Sequence, residues 1–399
     1  MAQYKIPATY MRGGTSKGVF FRSDSLPADP VLRDKILMRV IGSPDPYEKQ
    51  IDGMGGATSS TTKVVLIGPS SRPDCDVDYL FGAVSIDKPV IDWSGNCGNL
   101  TSSVGPFAIE QGFVKVPRAP RDGVATVRIW QANISAKIIS HVPMQNGEVL
   151  EEGDFELDGV TFPAAEIRIE FLDPGGAEST EDAGGGMFPT GNSIDTLEVP
   201  GYGAYRVTMI NAGNPAIFID AKSLGLNGNE MQSDVNENRE LLALCEAIRS
   251  HAAVRMGLAA TPQEVTELRP HTPKLAFVSL PAAYVASSGK HVEPAMTDIN
   301  ARILSMGKLH HAMTGTGAVA IAVAASIPDT VVSKLLNNEP RERVRFGHPS
   351  GVMTVGAQAG QRDGTWVVTK AIMSRSARRL MEGHVLVPSA LAFDTSAER

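Results

Sequence analysis

Short apolar runs set off by glycine, proline and aspartate dominate the first third of the chain: Gly18 to Phe21, Val64 to Ile67 and Val124 to Ile129. Runs of this length between turn residues predict β-strands. Helical periodicity is sparser. From Glu240 to Met256, Leu241, Leu242, Leu244, Cys245, Ile248 and Ala252 recur on one helical face, which predicts an amphipathic helix. Gly98 to Gln111 carries Leu100, Val104, Phe107, Ala108 and Ile109, with Gly112 placed as a C-terminal cap. Gly105-Pro106 inside that segment predicts a kink or a break. Gly315 to Ser326 is small and apolar on every side, the pattern of a helix buried in a core. Strands and helices without regular βαβ alternation point to the α+β class rather than a doubly wound sheet.

The pattern occurs twice. Gly18-Val19-Phe20-Phe21-Arg22-Ser23-Asp24-Ser25-Leu26 resembles Ala216-Ile217-Phe218-Ile219-Asp220-Ala221-Lys222-Ser223-Leu224, and Thr61-Thr62-Lys63-Val64 resembles Thr272-Pro273-Lys274-Leu275. Cys97, at the mouth of the first apolar helix, pairs with Thr314 at the mouth of the second. These matches run in the same order, as a duplicated domain predicts. The Gly-rich acidic stretch from Asp173 to Gly186 supplies the boundary, giving halves 1–186 and 187–399. Each half is expected to wrap a sheet around one central helix, with the helix start facing a crevice between the halves. Such a crevice is where small-molecule sites commonly form.

Composition removes several classes. The 399 residues are 42% hydrophobic and 20% charged, an ordinary globular balance, and the net charge is -7. With no basic stripe, nucleic acid is not an expected partner; the short cluster Arg375-Ser376-Ala377-Arg378-Arg379 reads as a solvated strand or turn. Met1 to Ile6 lacks the apolar core of a signal peptide, and the longest apolar run falls far short of the ~20 residues a bilayer needs. A cytoplasmic protein with no membrane contact is expected. Cys75, Cys97 and Cys245 give neither a disulfide framework nor a zinc spacing, so no metal is expected.

The chemistry concentrates at the two helix starts. A helix N-terminus offers free N–H groups and partial positive charge, a seat for a carboxylate, and two of them facing one cleft suit a di- or tricarboxylate. The same field favours thiolate over thiol at Cys97, flanked by Ser94, Asn96, Gly98 and Asn99. The second start contributes His311, Met313, Thr314, Gly315 and Thr316. His310 and His311 are adjacent and cannot both face one metal; one of them is expected to line the crevice beside Met313, with His311 the candidate substrate contact. Lys63 opens an apolar strand after the polar run containing Ser60, and Lys274 repeats it. A lysine there either snorkels at an edge or, desolvated, serves as a general base; the residues alone leave both open. The loop Arg12-Gly13-Gly14-Thr15-Ser16-Lys17 fails the phosphate-loop pattern, because Val19 stands where lysine is required, but it can donate to carboxylates. Met54-Gly55 begins a second glycine turn suited to close backbone approach. Gly315 to Ala320 matches a dinucleotide fingerprint formally, yet no apolar strand precedes it, and no such cofactor is expected.

With these segments assembled, the chain resembles the PrpF family of methylaconitate isomerases, within the diaminopimelate-epimerase-like fold. The resemblance covers nearly the whole length and rests on Arg12 to Gly18, Gly53-Met54-Gly55-Gly56, Ser94 to Asn99, Phe188-Pro189-Thr190-Gly191-Asn192 and Ala312 to Gly317. Epimerases of the fold use one cysteine per half; here Cys97 matches the first and Thr314 replaces the second. An alcohol is a poor acid–base group near neutral pH, so stereo-inversion is disfavoured. The resemblance implies instead cofactor-independent isomerisation of an unsaturated tricarboxylate, with Lys63 and Cys97 as the proton-transfer pair. The alternatives are a 4-oxalomesaconate tautomerase and a non-catalytic accessory protein for an aconitase-like dehydratase. A homodimer and a functional pairing with an aconitase-like methylcitrate dehydratase are the partners considered beside the small-molecule substrate.

Overall fold

The structure is a computed structural model that describes residues 3–115, 118–176, 186–362 and 364–388. The glycine-rich boundary expected between the halves lies mostly outside these residues, at 177–185. The first part of the chain forms β1 (Gln3–Gly13), β2 (Ser16–Arg22), α1 (Pro30–Ile41), β3 (Lys63–Pro69), β4 (Val77–Val84), β5 (Ile91–Asp92), α2 (Thr101–Glu110), β6 (Gly123–Gln131), β7 (Ala136–Gln145), β8 (Glu148–Val149) and β9 (Ile167–Leu172). There follow β10 (Asp195–Val199), β11 (Gly203–Ala212), β12 (Asn214–Asp220), α3 (Gln232–Asn236), α4 (Arg239–Arg255), α5 (Pro262–Leu268), β13 (Lys274–Ser279), β14 (Tyr284–Val285), β15 (His291–Val292), β16 (Ile299–Ser305) and β17 (Lys308–Leu309). The chain continues through α6 (Gly315–Ala325), α7 (Val331–Leu335), β18 (Arg343–His348), β19 (Gly351–Arg362), β20 (Thr365–Arg375) and β21 (Ala377–Pro388). All strands except the β14–β15 pair join one mixed sheet. The α+β class expected from the sequence is the class observed.

The segments matched in the sequence pair alike in the sheet. β2 pairs in parallel with β3, Val19 opposite Val64, and β12 pairs in parallel with β13, Ile217 opposite Leu275. These are the positions matched in the sequence. Their two faces are used alike. Val19, Phe21, Val64 and Leu66 pack outward with Ile36, Leu37, Val40 and Ile41 of α1, while Phe20, Val65 and Ile67 pack inward with Leu100, Val104 and Phe107 at and within α2. In the second set Ile217, Ile219, Leu275 and Phe277 face α4, and Ala216, Phe218, Ala276 and Val278 face α6. Strands buried on both sides show continuous rather than alternating hydrophobicity, which is why these runs stood out. Each fully buried Phe or Ile contributes roughly 1.5–3 kcal/mol.

Every residue of α6 is buried. α2 begins three residues after Gly98 and runs through Pro106 without breaking. Proline there forgoes only the amide bond to the Ser102 carbonyl, and burial of Val104, Pro106, Phe107 and Ala108 holds the surrounding turns. Gly112, at φ +71°, takes the left-handed conformation that ends the helix. The last strands cross back over the chain: β20 pairs with β9, and β21 runs antiparallel to β1 from Gln3–Pro388 to Gly13–Ala377. Among the described residues no helix is long and apolar enough to cross a membrane.

Candidate functional site

Cys97 and Thr314 occupy equivalent places at two helix entrances. The Cys97 carbonyl accepts from the Thr101 amide at 3.0 Å, and the Thr314 carbonyl accepts from the Ala318 amide at 2.9 Å. Their side chains are used differently. Thr314 Oγ1 accepts from the Gly317 amide at 3.1 Å, a helix cap, whereas the Cys97 thiol caps nothing. The entrances touch: a Cβ placed on Gly98 would lie 2.7 Å from the Gly315 carbonyl carbon. Among the described residues the amides of Gly98, Asn99, Gly315 and Thr316 donate to no protein acceptor.

Around this contact lies a small cavity of about 10 Å³, room for about one water. It is lined by Ser16, Lys63, Asn96, Cys97, Gly98, Asn99, His271, Lys274, Ser305, His310, Thr314, Gly315 and Thr316. Lys63 and Lys274 enter as the first residues of β3 and β13. Lys63 is 4% exposed, its Nζ 4.9 Å from the Phe81 ring centre, and it donates to no protein oxygen among the described residues. Lys274, 2% exposed, is tethered: Nζ donates to the His271 carbonyl at 3.0 Å and Ser305 Oγ at 3.2 Å, and lies 3.4 Å from His271 Nδ1. Burial, and then the charge of Lys63, lower the Lys274 ammonium to about 7. His271 is driven well below the usual histidine range by burial and the neighbouring Lys274. Its Nε2 faces the Asn96 carbonyl at 3.3 Å.

His310 and His311 stack with ring centres 4.6 Å apart. His310 lines the small cavity. Both also border a larger outer crevice of about 650 Å³, together with Ser60, Ser305 and Arg249. There Ser60 Oγ sits 3.4 Å from His311 Nδ1. His311 was the histidine expected at the site; the structure puts it at the outer mouth and His310 inside.

Several expected contacts lie elsewhere. Met54 and Gly55 pack on the end of α1, their amides donating to the Val40 and Ile41 carbonyls, and the close approach there is between Gly53 and Gly42. Arg12 braces the β1–β2 turn, donating to the Gly14 and Ser376 carbonyls, and Lys17 lies over the Tyr10 ring. Gly13 and Gly14 press against Asn99 rather than the cavity. Ser94 is engaged by Asp92 and by Thr272 Oγ1, both at 2.5 Å. Thr15 and the Met313 carbonyl form a supporting layer, accepting from Asn99 Nδ2 at 3.0 and 3.1 Å.

Three side chains were not foreseen. His271 and His310 carry no local pattern. Arg375, inside a cluster read as solvated, is 1% exposed and donates from Nε to Asn99 Oδ1 at 3.0 Å. Only Arg378 and Arg379 of that cluster face solvent. Arg375 is fixed because β20 and β21 close over Asn99, a contact no short stretch of sequence announces. Burial lowers its guanidinium to about 10. No cluster of three or more His, Cys, Asp or Glu side chains among the described residues could hold a metal ion.

The chain matches the PrpF protein family over residues 3–388. It is 61% identical to a 2-methyl-aconitate isomerase of Cupriavidus necator over 97% of this chain and 98% of that protein. The solved structure of a methylitaconate-delta-isomerase superposes with TM-score 0.76 at 39% identity, covering all of both chains. A hydroxyproline epimerase from Agrobacterium vitis matches with TM-score 0.53 at 11% identity, over 96% of this chain and 92% of that one, a likeness of fold alone. Two touching helix entrances in one mixed sheet, one bearing a thiol and the other a capping threonine, thus stand in a chain that belongs to the PrpF family.

Proposed function

We propose that this protein isomerises 2-methylaconitate by allylic proton transfer without a cofactor. The observation that carries the reading is the convergence of Lys63, Cys97 and Lys274 on one cavity beside two unsatisfied helix starts. The 61% identity to a 2-methyl-aconitate isomerase supports the substrate. On this reading residues 1–186 and 187–399 form two lobes, with the final strand returned to the first.

Lys63, as free amine, takes a proton from the allylic carbon. The electron pair left behind spreads through the double bond into a conjugated carboxylate. Cys97, as thiol, returns a proton at the far allylic carbon, leaving thiolate and ammonium to re-equilibrate through solvent. The reverse assignment balances equally, with Cys97 thiolate as base and Lys63 ammonium as acid. Each such group supplies about 10²–10⁴-fold; the ammonium of Lys274 and the amides of Gly98, Asn99, Gly315 and Thr316 stabilise the dienolate. Lys63 suits the mobile role because no protein acceptor among the described residues holds its Nζ, whereas Lys274 is anchored.

Lys63→Ala is expected to abolish exchange of the substrate's allylic protons with deuterated water, followed by NMR; unchanged exchange removes Lys63 from the mechanism. The same assay with 4-oxalomesaconate separates the two substrates. Alkylation separates an enzyme from an accessory protein. Burial raises Cys245 to about 12 and also raises Cys75, so labelling at pH 7 should fall on Cys97 and be blocked by trans-aconitate.

A further inference from the structure

Asp92 ends β5 and is 2% exposed. It stands behind the cavity, whose wall holds no Asp or Glu among the described residues. The strand register ties it to the reacting groups. Lys63 on β3 lies opposite Ala83 on β4, and Ala83 lies opposite Asp92. Residues opposed in a sheet project on one face, so Asp92 shares a face with Lys63, two strand spacings or about 10 Å away. A carboxylate buried this deeply needs partners for its charge. Asp92 finds them in two segments far apart in the chain. Oδ1 accepts from the Ser94 amide at 2.8 Å and from Ser94 Oγ at 2.5 Å, and Oδ2 accepts from the His271 amide at 2.7 Å. Ser94 opens the loop that carries Cys97. His271 opens the turn that leads to Lys274, whose Nζ donates to the His271 carbonyl.

The bonds to Asp92 continue as a polarised chain. Ser94 gives its hydroxyl proton to the carboxylate, so Ser94 Oγ accepts from the Thr272 hydroxyl at 2.5 Å. Thr272 Oγ1 accepts in turn from Arg269 Nη2 at 3.4 Å. Facing Lys274 are Lys63 from β3, His271 from the turn before it, Arg249 from α4, Cys97 from the first helix entrance and Asp92 from β5. Burial, Lys63 and Arg249 disfavour the Lys274 ammonium, whereas ionised Cys97 and Asp92 favour it.

We propose that Asp92 is a positioning residue of the isomerisation, a single carboxylate that clamps the Cys97 loop to the Lys274 turn and keeps positive charge on that anchored amine. The role rests on the isomerase reading. Asp92 touches no reacting atom and moves no proton, so the balance between Lys63 and Cys97 is unchanged. It fixes the separation of thiol and ammonium across the substrate, and its charge keeps the ammonium in place for the dienolate.

Asp92→Asn keeps the shape and one accepting oxygen but removes the charge. The titration of Lys274, followed by NMR of its Cε–Nζ group and assigned with Lys274→Met, should move to lower pH by about half a unit or more, because a neighbouring anion is lost. A clamp that was only structural would, on loosening, admit water and move that titration upward, toward the 10.5 of a solvated lysine. At pH 7 kcat should fall by about tenfold or more. An active wild type whose folded Asp92→Asn variant leaves the Lys274 titration unmoved or raised, or keeps kcat within tenfold, overturns the role alone. A wild type inert toward methylaconitate and 4-oxalomesaconate overturns the isomerase reading and the role with it. If Asp92→Asn does not fold, Asp92→Glu decides. It keeps the charge and shifts the carboxylate by one methylene, so kcat should again fall by about tenfold or more, and a smaller loss overturns the clamp.

Discussion

Gly98 and Gly315 meet backbone to backbone, so the two helix entrances approach as closely as two peptide chains can. A methyl group on Gly98 would stand 2.7 Å from the Gly315 carbonyl carbon, and backbone cannot swing aside as a side chain can. Gly98→Ala is therefore expected to cost about 1–3 kcal/mol of stability, the scale of overpacking. Turnover should fall more steeply, by tenfold or more, because displacing reacting groups by about 1 Å can cost 10²-fold. Urea unfolding and isomerisation rates on the same variant check this; full activity would show that the entrances need not touch.

Lys274 gives a pH signature. Its ammonium titrates near 7 in the folded protein and near 10.5 when unfolded. Between those values the unfolded chain binds more protons, so stability rises with pH; below about 7 the penalty is fully present and flat. Lys274→Met removes that penalty. Relative to wild type, the variant should be better off at pH 7 than at pH 9.5 by up to ~3 kcal/mol, at ~1.4 kcal/mol per pH unit. Denaturant titrations at the two pH values measure the difference, and constant hydrogen-bond losses cancel from it.

Arg375 separates stability from activity. It is a buried cation with no carboxylate partner among the described residues, hydrogen-bonded to Asn99, the Ser374 carbonyl and Met353 Sδ. Replacing it by Met relieves its desolvation but leaves Asn99 Oδ1 unpaired, opposing effects of a few kcal/mol at most. Net stability of Arg375→Met should stay within ~2 kcal/mol of wild type. Asn99 still donates to Thr15 and the Met313 carbonyl, but its oxygen loses the Arg375 donor, so the Gly98–Asn99 entrance is held less tightly. Turnover should drop at least tenfold, and comparing kcat with the unfolding midpoint tells orientation from collapse.

Thr314→Val should lower stability by about 1 kcal/mol, the usual cost of losing a hydroxyl cap, and Thr314→Ser should restore it. Thermal unfolding of both variants is the check. Equal melting points would mean that the Gly317 amide finds another acceptor.

How much of this was legible depended on whether a residue's neighbours in sequence were also its neighbours in space. β2, β3, β12 and β13 showed as apolar runs because sheets and helices cover both their faces, and α6 showed because nothing polar could be tolerated around it. Cys97 and Lys63 were marked by their places at the start of repeated elements. Met54 and Gly55 misled, because glycines that permit close approach do not say what approaches; here it is the end of α1. His310 outranks His311 inside the cavity only because of how β17 turns into the second entrance. Arg375 looked like one of three similar arginines until β20 and β21 folded over it. Such burial is set by pairing across most of the chain, which no window of sequence contains.

The pairing of β21 with β1 has a consequence for biosynthesis. β1 lies between β2 and β21, and its second neighbour is the last strand described, ending at Pro388. While the ribosome is still translating, the nascent amino-terminal sheet carries a bare edge, open to mispairing. A stop codon a few dozen triplets early would therefore spoil the oldest part of the polypeptide, although every reacting side chain had already been made.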